Sequence, residues 1–107
     1  MVLVLSTTRF PISKAKEVGK RYLEVSRKFP PDKTLGKDIL RLGTRIIGDE
    51  VESIGLVEVK EGKYDEYLEL TTKVELMYAD IEGINFKVDL FLSGVKSLPL
   101  VGLEMPE

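Results

Sequence analysis

The chain contains no cysteine, histidine, tryptophan or glutamine, and only one asparagine, Asn85. Without cysteine there is no disulfide and no thiolate nucleophile. Without histidine there is no imidazole metal ligand, no histidine-ligated haem and no side chain that ordinarily titrates near neutral pH. The sequence therefore implies no cofactor and no metal. Long apolar runs are missing too: no window approaches the roughly 20 residues that span a bilayer. The opening Met1-Val-Leu-Val-Leu-Ser6 has no basic residue ahead of its apolar stretch, unlike a secretory signal. A cytoplasmic location with no membrane partner is expected. Gly43, Gly48 and Gly55 are spaced too widely for a phosphate-cradling loop. Ser6, Thr7 and Thr8 have no histidine or apparent lysine partner that would make them nucleophiles.

What remains describes a globular domain. At 107 residues there is room for one domain, and a chain of this length buries roughly 65 % of its unfolded surface. A hydrophobic share of 43 % beside a charged share of 32 % excludes both a disordered polyelectrolyte and a membrane protein. Few amides and abundant lysine and glutamate resemble the composition of thermophile proteins.

The pattern along the chain is β-α-β-β-α-β. Residues 2–9 are β-branched and apolar and are closed by Pro11, which reads as a buried strand. Ser13 is the expected N-cap of a first helix, whose stripe is Ala15, Val18, Tyr22, Val25 and Phe29, ended by Pro30-Pro31. Residues 37–47 and 51–60 form two strands joined through Gly48-Asp49-Glu50 as a hairpin. Glu61-Gly62-Lys63 turns the chain into a second helix, Tyr64 to Glu82. Its inner stripe is Tyr67, Leu70, Thr71, Val74, Met77, Tyr78 and Ile81, with Gly83 as a left-handed C-terminal cap. Residues 84–92 alternate as a last strand, with Ile84, Phe86, Val88, Leu90 and Leu92 on one face. The fold class implied is α+β, a ferredoxin-like βαββαβ arrangement: a four-stranded antiparallel sheet with two helices on one face. This domain occupies residues 1–93. Residues 94–107 form an apolar arm carrying Val95, Leu98, Leu100, Val101, Leu103 and Met105. The arm either covers a gap on its own domain or crosses to a second subunit.

Alternation assigns sheet faces. With Ile84, Phe86, Val88, Leu90 and Leu92 toward the helices, the opposite face of the last strand carries Asn85, Lys87, Asp89 and Phe91. For residues 39–47 the helix side is assigned to Leu40, Leu42, Thr44 and Ile46. Ile39, Arg41, Gly43, Arg45 and Ile47 fall on the other face. The resulting open face mixes charge with apolar bulk and suits a partner sheet, a ligand or a small wet cavity. The element order, with Val57-Glu58-Val59-Lys60-Glu61-Gly62-Lys63-Tyr64 turning from strand to helix, resembles the dimeric α/β-barrel superfamily. That resemblance implies two ferredoxin-like sheets packed face to face, with a cavity between sheet and helices in some members. It also implies that known catalysis in the group often uses histidine, tryptophan or haem, and this chain has neither residue.

Candidate chemistry is sparse. Asp49, Glu50 and Glu52 cluster on a turn where water keeps them ionised. Asp89 is the better lone carboxylate, placed beside Arg41 or Arg45 as an ion pair. Guanidinium groups suit carboxylate and phosphate, so an anionic ligand is expected at Arg41, Arg45 and Lys87, with Asp89 orienting an arginine. The net charge of −2 conceals a polarity. Residues 1–45 hold 11 basic and 4 acidic residues, and residues 46–107 hold 5 and 14. Lys14, Arg21 and Lys28 recur every seven residues on the first helix, a spacing that could face phosphates. A solvated helix face is the ordinary explanation, and no nucleic-acid partner is expected. The second helix is acidic outside, at Asp65, Glu66, Glu69, Glu75, Asp80 and Glu82, so unlike surfaces could steer two subunits together.

The expectation is a small homo-oligomeric domain, a homodimer or higher even assembly, that acts as a structural or small-ligand (anion) binding module. No catalytic residue is assigned, and the balance lies against an enzyme. The alternatives are a cofactor-free enzyme on a small hydrophobic substrate, using Tyr22, Tyr64, Tyr67 or Tyr78 with a carboxylate, or nucleic-acid binding through the first helix.

Overall fold

Ten residues of extended chain, Val2–Pro11, form β1 at the start of the computed structural model, which describes residues 1–106. Glu107, the last residue of the expected arm, lies outside the described residues. A 3-10 turn at Ile12–Lys14 leads into α1, Ala15–Lys28. Then come β2 (Gly36–Ile47), β3 (Glu50–Val59), α2 (Tyr64–Leu76), β4 (Asn85–Leu92) and a single turn, α3 (Gly94–Ser97), followed by 3-10 residues Leu98–Val101. The sheet order is β2-β3-β1-β4 and every pairing is antiparallel. The expected α+β chain with a four-stranded antiparallel sheet is what forms.

β1 is central and pairs with β3 from Val2↔Val59 to Pro11↔Glu50. Period-two alternation sends Val4 and Phe10 of β1, with Val51 and Val59 of β3, to the helix side, and all four are buried. Val18 and Val25, seven residues apart on α1, meet Phe10, Val51, Tyr78 and Ile81 in one apolar cluster. Val59 is completely buried. The β2–β3 hairpin closes through only Gly48 and Asp49, and Gly48 takes φ +60°. A two-residue loop requires that conformation at its first position, where glycine meets no Cβ penalty. At Gly36 the constraint is steric: a Cβ there would lie 2.5 Å from the carbonyl oxygen of Glu58.

Several local expectations are corrected. Ser13 is not an N-cap; it lies inside the 3-10 turn, where the Ala15 N–H already donates to the Ile12 carbonyl. α2 ends at Leu76, six residues before Glu82. From there the hydrogen bonds tighten to the three-residue pattern, Tyr78 N–H to Glu75 and Ile81 N–H to Tyr78. Residues three apart eclipse in that geometry, so Tyr78 and Ile81 are buried together. Arg21 reaches across from α1 and donates to the Met77 carbonyl and, bidentately, to Asp80. Gly83 does take φ +82°, but as a loop residue beyond the helix and not as its cap.

β2 does not alternate simply. Its register against β3 shifts between Asp38 and Leu40 and again between Leu40 and Gly43. Leu40 stands opposite Leu56, on the face that lacks helices, and not on the helix side. Beyond the bulges Thr44 and Ile46 face the helix layer, and Gly43, Arg45 and Ile47 the other face, as expected. The arm does not cover its own domain: Val95, Leu100 and Val101 are each 70 % exposed or more. It folds back on itself, with the Leu103 N–H donating to the Leu98 carbonyl, and Lys96 pairs with Glu61 at 2.5 Å.

Candidate functional site

The helix-facing surface of the sheet is bulky at its ends and small in its middle. Val4↔Val57 and Phe10↔Val51 bracket two central pairs, Ser6↔Gly55 and Thr8↔Ser53. Where a packed sheet–helix layer needs apolar volume, these four positions offer two hydroxymethyl groups, one threonine and no side chain. Helices spanning the bulky ends cannot sink to meet so low a floor. A cavity of about 450 Å³ results, floored by Ser6, Thr8, Ser53 and Gly55. Its walls come from Val18, Gly19 and Tyr22 of α1 and from Tyr67, Leu70, Val74, Glu75 and Tyr78 of α2 and the turn after it. Phe86 closes it on the β4 side, and Arg41 lines it on the β2 side. Phe86 also meets the Tyr78 ring edge-on, with centroids 5.6 Å apart, which fixes both rings.

Three of the four tyrosines therefore share one cavity, and Tyr64 does not line it. Burial pushes the Tyr78 phenol up to about 12, with Tyr22 nearby adding to the rise. Burial also raises Tyr67. Both remain neutral donors at any physiological pH. Burial likewise raises the carboxyl of Glu75 above its ordinary value. Among the described residues, Glu75 has neither a side-chain hydrogen bond nor an ion pair. The reading of Glu75 as an outer residue of the second helix is thus corrected. It follows Thr71 by four residues and precedes Tyr78 by three, which is helical spacing for the inner stripe. That spacing was the available signal, and the charge of the side chain concealed it.

The four residues expected to hold an anion do not come together: Arg41 lines the helix-side cavity and not the open face where it was expected, and Arg45, Lys87 and Asp89 lie outside that cavity. Arg41 and Arg45 belong to β2 and Lys87 and Asp89 to β4, the two opposite edges of the sheet. Three strand spacings, about 14 Å, separate these edges. Asp89 accordingly pairs with Lys87 on its own strand at 3.7 Å and orients no arginine. Arg45 Nε instead donates to Glu52 Oε1 at 2.8 Å, while Arg9 Nε donates to the other oxygen at 2.8 Å. These arginines hold the Glu52 carboxyl below the usual range, against the opposing effect of burial. Glu52 is 8 % exposed, although it stands on the face no helix covers. So Glu52 belongs to this three-residue ion cluster and not to a solvated turn with Asp49 and Glu50. Next to that cluster the same face carries Leu5 beside Leu56 and Thr7 beside Ile54, with Asp89 and Lys87 of β4 on the other side of Leu5 and Thr7. The spaced cations of α1 do not form a continuous ridge either, because Arg21 is engaged with Asp80 and Met77 and Lys14 with Glu17.

No family model matches the sequence and no curated protein matches it. Among solved structures the chain is similar to a de novo designed protein, Foldit4, at a TM-score of 0.53 and 16 % identity. That likeness covers 86 % of this chain and 97 % of the designed one. At such identity it concerns the fold alone. No helix among the described residues is long and apolar enough to cross a membrane.

Proposed function

We propose that the chain is a ferredoxin-like domain of the dimeric α/β-barrel kind that holds a small, largely apolar molecule between its sheet and its helices. The single observation that carries this reading is the cavity of about 450 Å³ over Ser6, Thr8, Ser53 and Gly55. Sites for small molecules are typically concave, mostly apolar and furnished with a few polar groups. The strand order β2-β3-β1-β4 supports the ferredoxin-like assignment. A homodimer made by stacking the open sheet faces is part of the proposal. Leu5, Ile54 and Leu56 would form its dry centre, and the Arg9–Glu52–Arg45 cluster its polar border. The anion-binding version has less support, since its four residues occupy opposite sheet edges.

Titration calorimetry with a neutral aromatic hydrocarbon, neopentylbenzene, tests the cavity. One molecule per chain is expected to bind, and the double substitution Ser6→Leu with Ser53→Leu is expected to weaken that binding about tenfold or more by filling the floor. Equal binding to the filled variant would remove the cavity from consideration. A second reading, cofactor-free chemistry on the bound molecule, is favoured by Glu75: a carboxyl raised by burial beside neutral phenols is suited to moving a proton. Loss of deuterium from the α-carbon of a bound ketone such as 2-tetralone, abolished in Glu75→Gln, is the outcome it requires.

A further inference from the structure

The cavity has an uneven distribution of charge and π-density, and this restricts what it can hold. Tyr22, Tyr67, Tyr78 and Phe86 bring four aromatic side chains to the lining of one space. Two formal charges line it. Arg41 is solvent-exposed, so water and salt screen its guanidinium. Glu75 is only partly exposed, and no cation pairs with it among the described residues. A carboxylate withdrawn from water and left unpaired is costly, and a positive charge brought beside it removes that cost. Aromatic faces attract the same kind of charge through their quadrupoles, most strongly when water is excluded. The hydroxyls of Ser6, Thr8 and Ser53 add acceptors on the floor. An anion would meet the reverse situation, with an unpaired carboxylate at hand and its best counter-charge in solvent.

We infer that the ligand of this cavity is a cation with an apolar body, an amine or quaternary ammonium compound whose charged nitrogen sits between Glu75 and the tyrosine rings. This inference rests on the cavity reading given above and narrows it to a ligand class. Glu75 is then the residue that selects charge, and the rings and floor supply shape.

The test compares three probes of similar bulk on the intact chain by calorimetry: benzyltrimethylammonium, its neutral isostere neopentylbenzene, and phenylacetate. The ammonium probe is expected to bind about tenfold or more tightly than the neutral one, with phenylacetate weakest. In Glu75→Gln the neutral probe keeps its affinity within about twofold, which reports an intact cavity, while the preference for the cation disappears. A cation no tighter than the isostere, a preference surviving in Glu75→Gln, or phenylacetate binding best would each overturn the inference and leave the cavity reading standing. Failure of all three probes to bind would overturn both.

Discussion

Arg45 Nε and Glu52 Oε1 lie 2.8 Å apart on directly opposed residues of neighbouring strands, on a sheet face that no helix covers. Arg9, on the other side of Glu52, occupies its second oxygen, so one nearly buried carboxylate is shared by two exposed guanidinium groups. The hydrogen bonds from Arg45 and Arg9 depress the Glu52 pKa. Its stabilising contribution is therefore full above the ordinary carboxylate range and disappears as pH falls through the lower, folded value. Urea unfolding of Glu52→Gln near neutrality and near pH 3 is expected to show lower stability than the parent at the higher pH. The gap between the two proteins narrows at the lower one. An equal gap at both values would mean that Glu52 contributes through packing alone.

Glu75 titrates with the opposite sign. Burial raises its folded pKa, so the folded chain prefers the protonated carboxyl. Stability conferred by that preference is present below the unfolded value and is lost as pH rises through the folded one. Glu75→Gln removes the penalty. Its melting temperature is expected to exceed the parent's near neutrality, with the advantage fading toward about pH 3.5, below the ordinary glutamate range. Differential scanning calorimetry at the two pH values decides this, and a variant less stable than the parent at neutrality contradicts it.

The small residues under the cavity carry a stability cost that a ligand site would explain. Ser6→Val adds apolar volume to the floor and deletes a hydroxyl, and should stabilise the chain by about 1 kcal/mol, as cavity-filling changes commonly do. A loss of stability in chemical denaturation would show that the Ser6 hydroxyl is required by the fold itself.

Val59, at the end of β3, is completely buried. Val59→Ala is expected to cost about 2 kcal/mol, from lost transfer energy together with the void left behind. A change under about 0.5 kcal/mol would mean that the neighbouring chain collapses into the gap.

The proposed dimer places Leu56 at the centre of its interface. Sedimentation of the parent should give twice the 12.0 kDa chain mass, and Leu56→Lys should give the single-chain mass with an unchanged far-ultraviolet spectrum. A parent that sediments as a monomer at micromolar concentration would remove the stacked-sheet assembly. If the acidic second half of one chain steers toward the basic first half of another, raising the salt concentration slows the association.

The sequence by itself determined the elements and most of their inward faces, because period and punctuation are local properties. Val18 and Val25 one heptad apart, the alternation of Phe86 and Val88, and Gly48 at the hairpin all act within a few residues, whereas Leu90 and Leu92, expected on the same inward face, are more than half exposed. The boundaries that failed had distant causes. α2 stops at Leu76 where Arg21, 56 residues earlier than Met77, takes the Met77 carbonyl. β2 loses its alternation because, paired against β3, it carries one extra residue at each of two bulges. The site was decided by tertiary structure for the same reason. Strand order sends Arg41 and Arg45 to one edge of the sheet and Lys87 and Asp89 to the other, and no local pattern encodes that distance. The cavity exists only because Ser6, Thr8, Ser53 and Gly55, each unremarkable in its own strand, fall side by side once β1 and β3 pair in register.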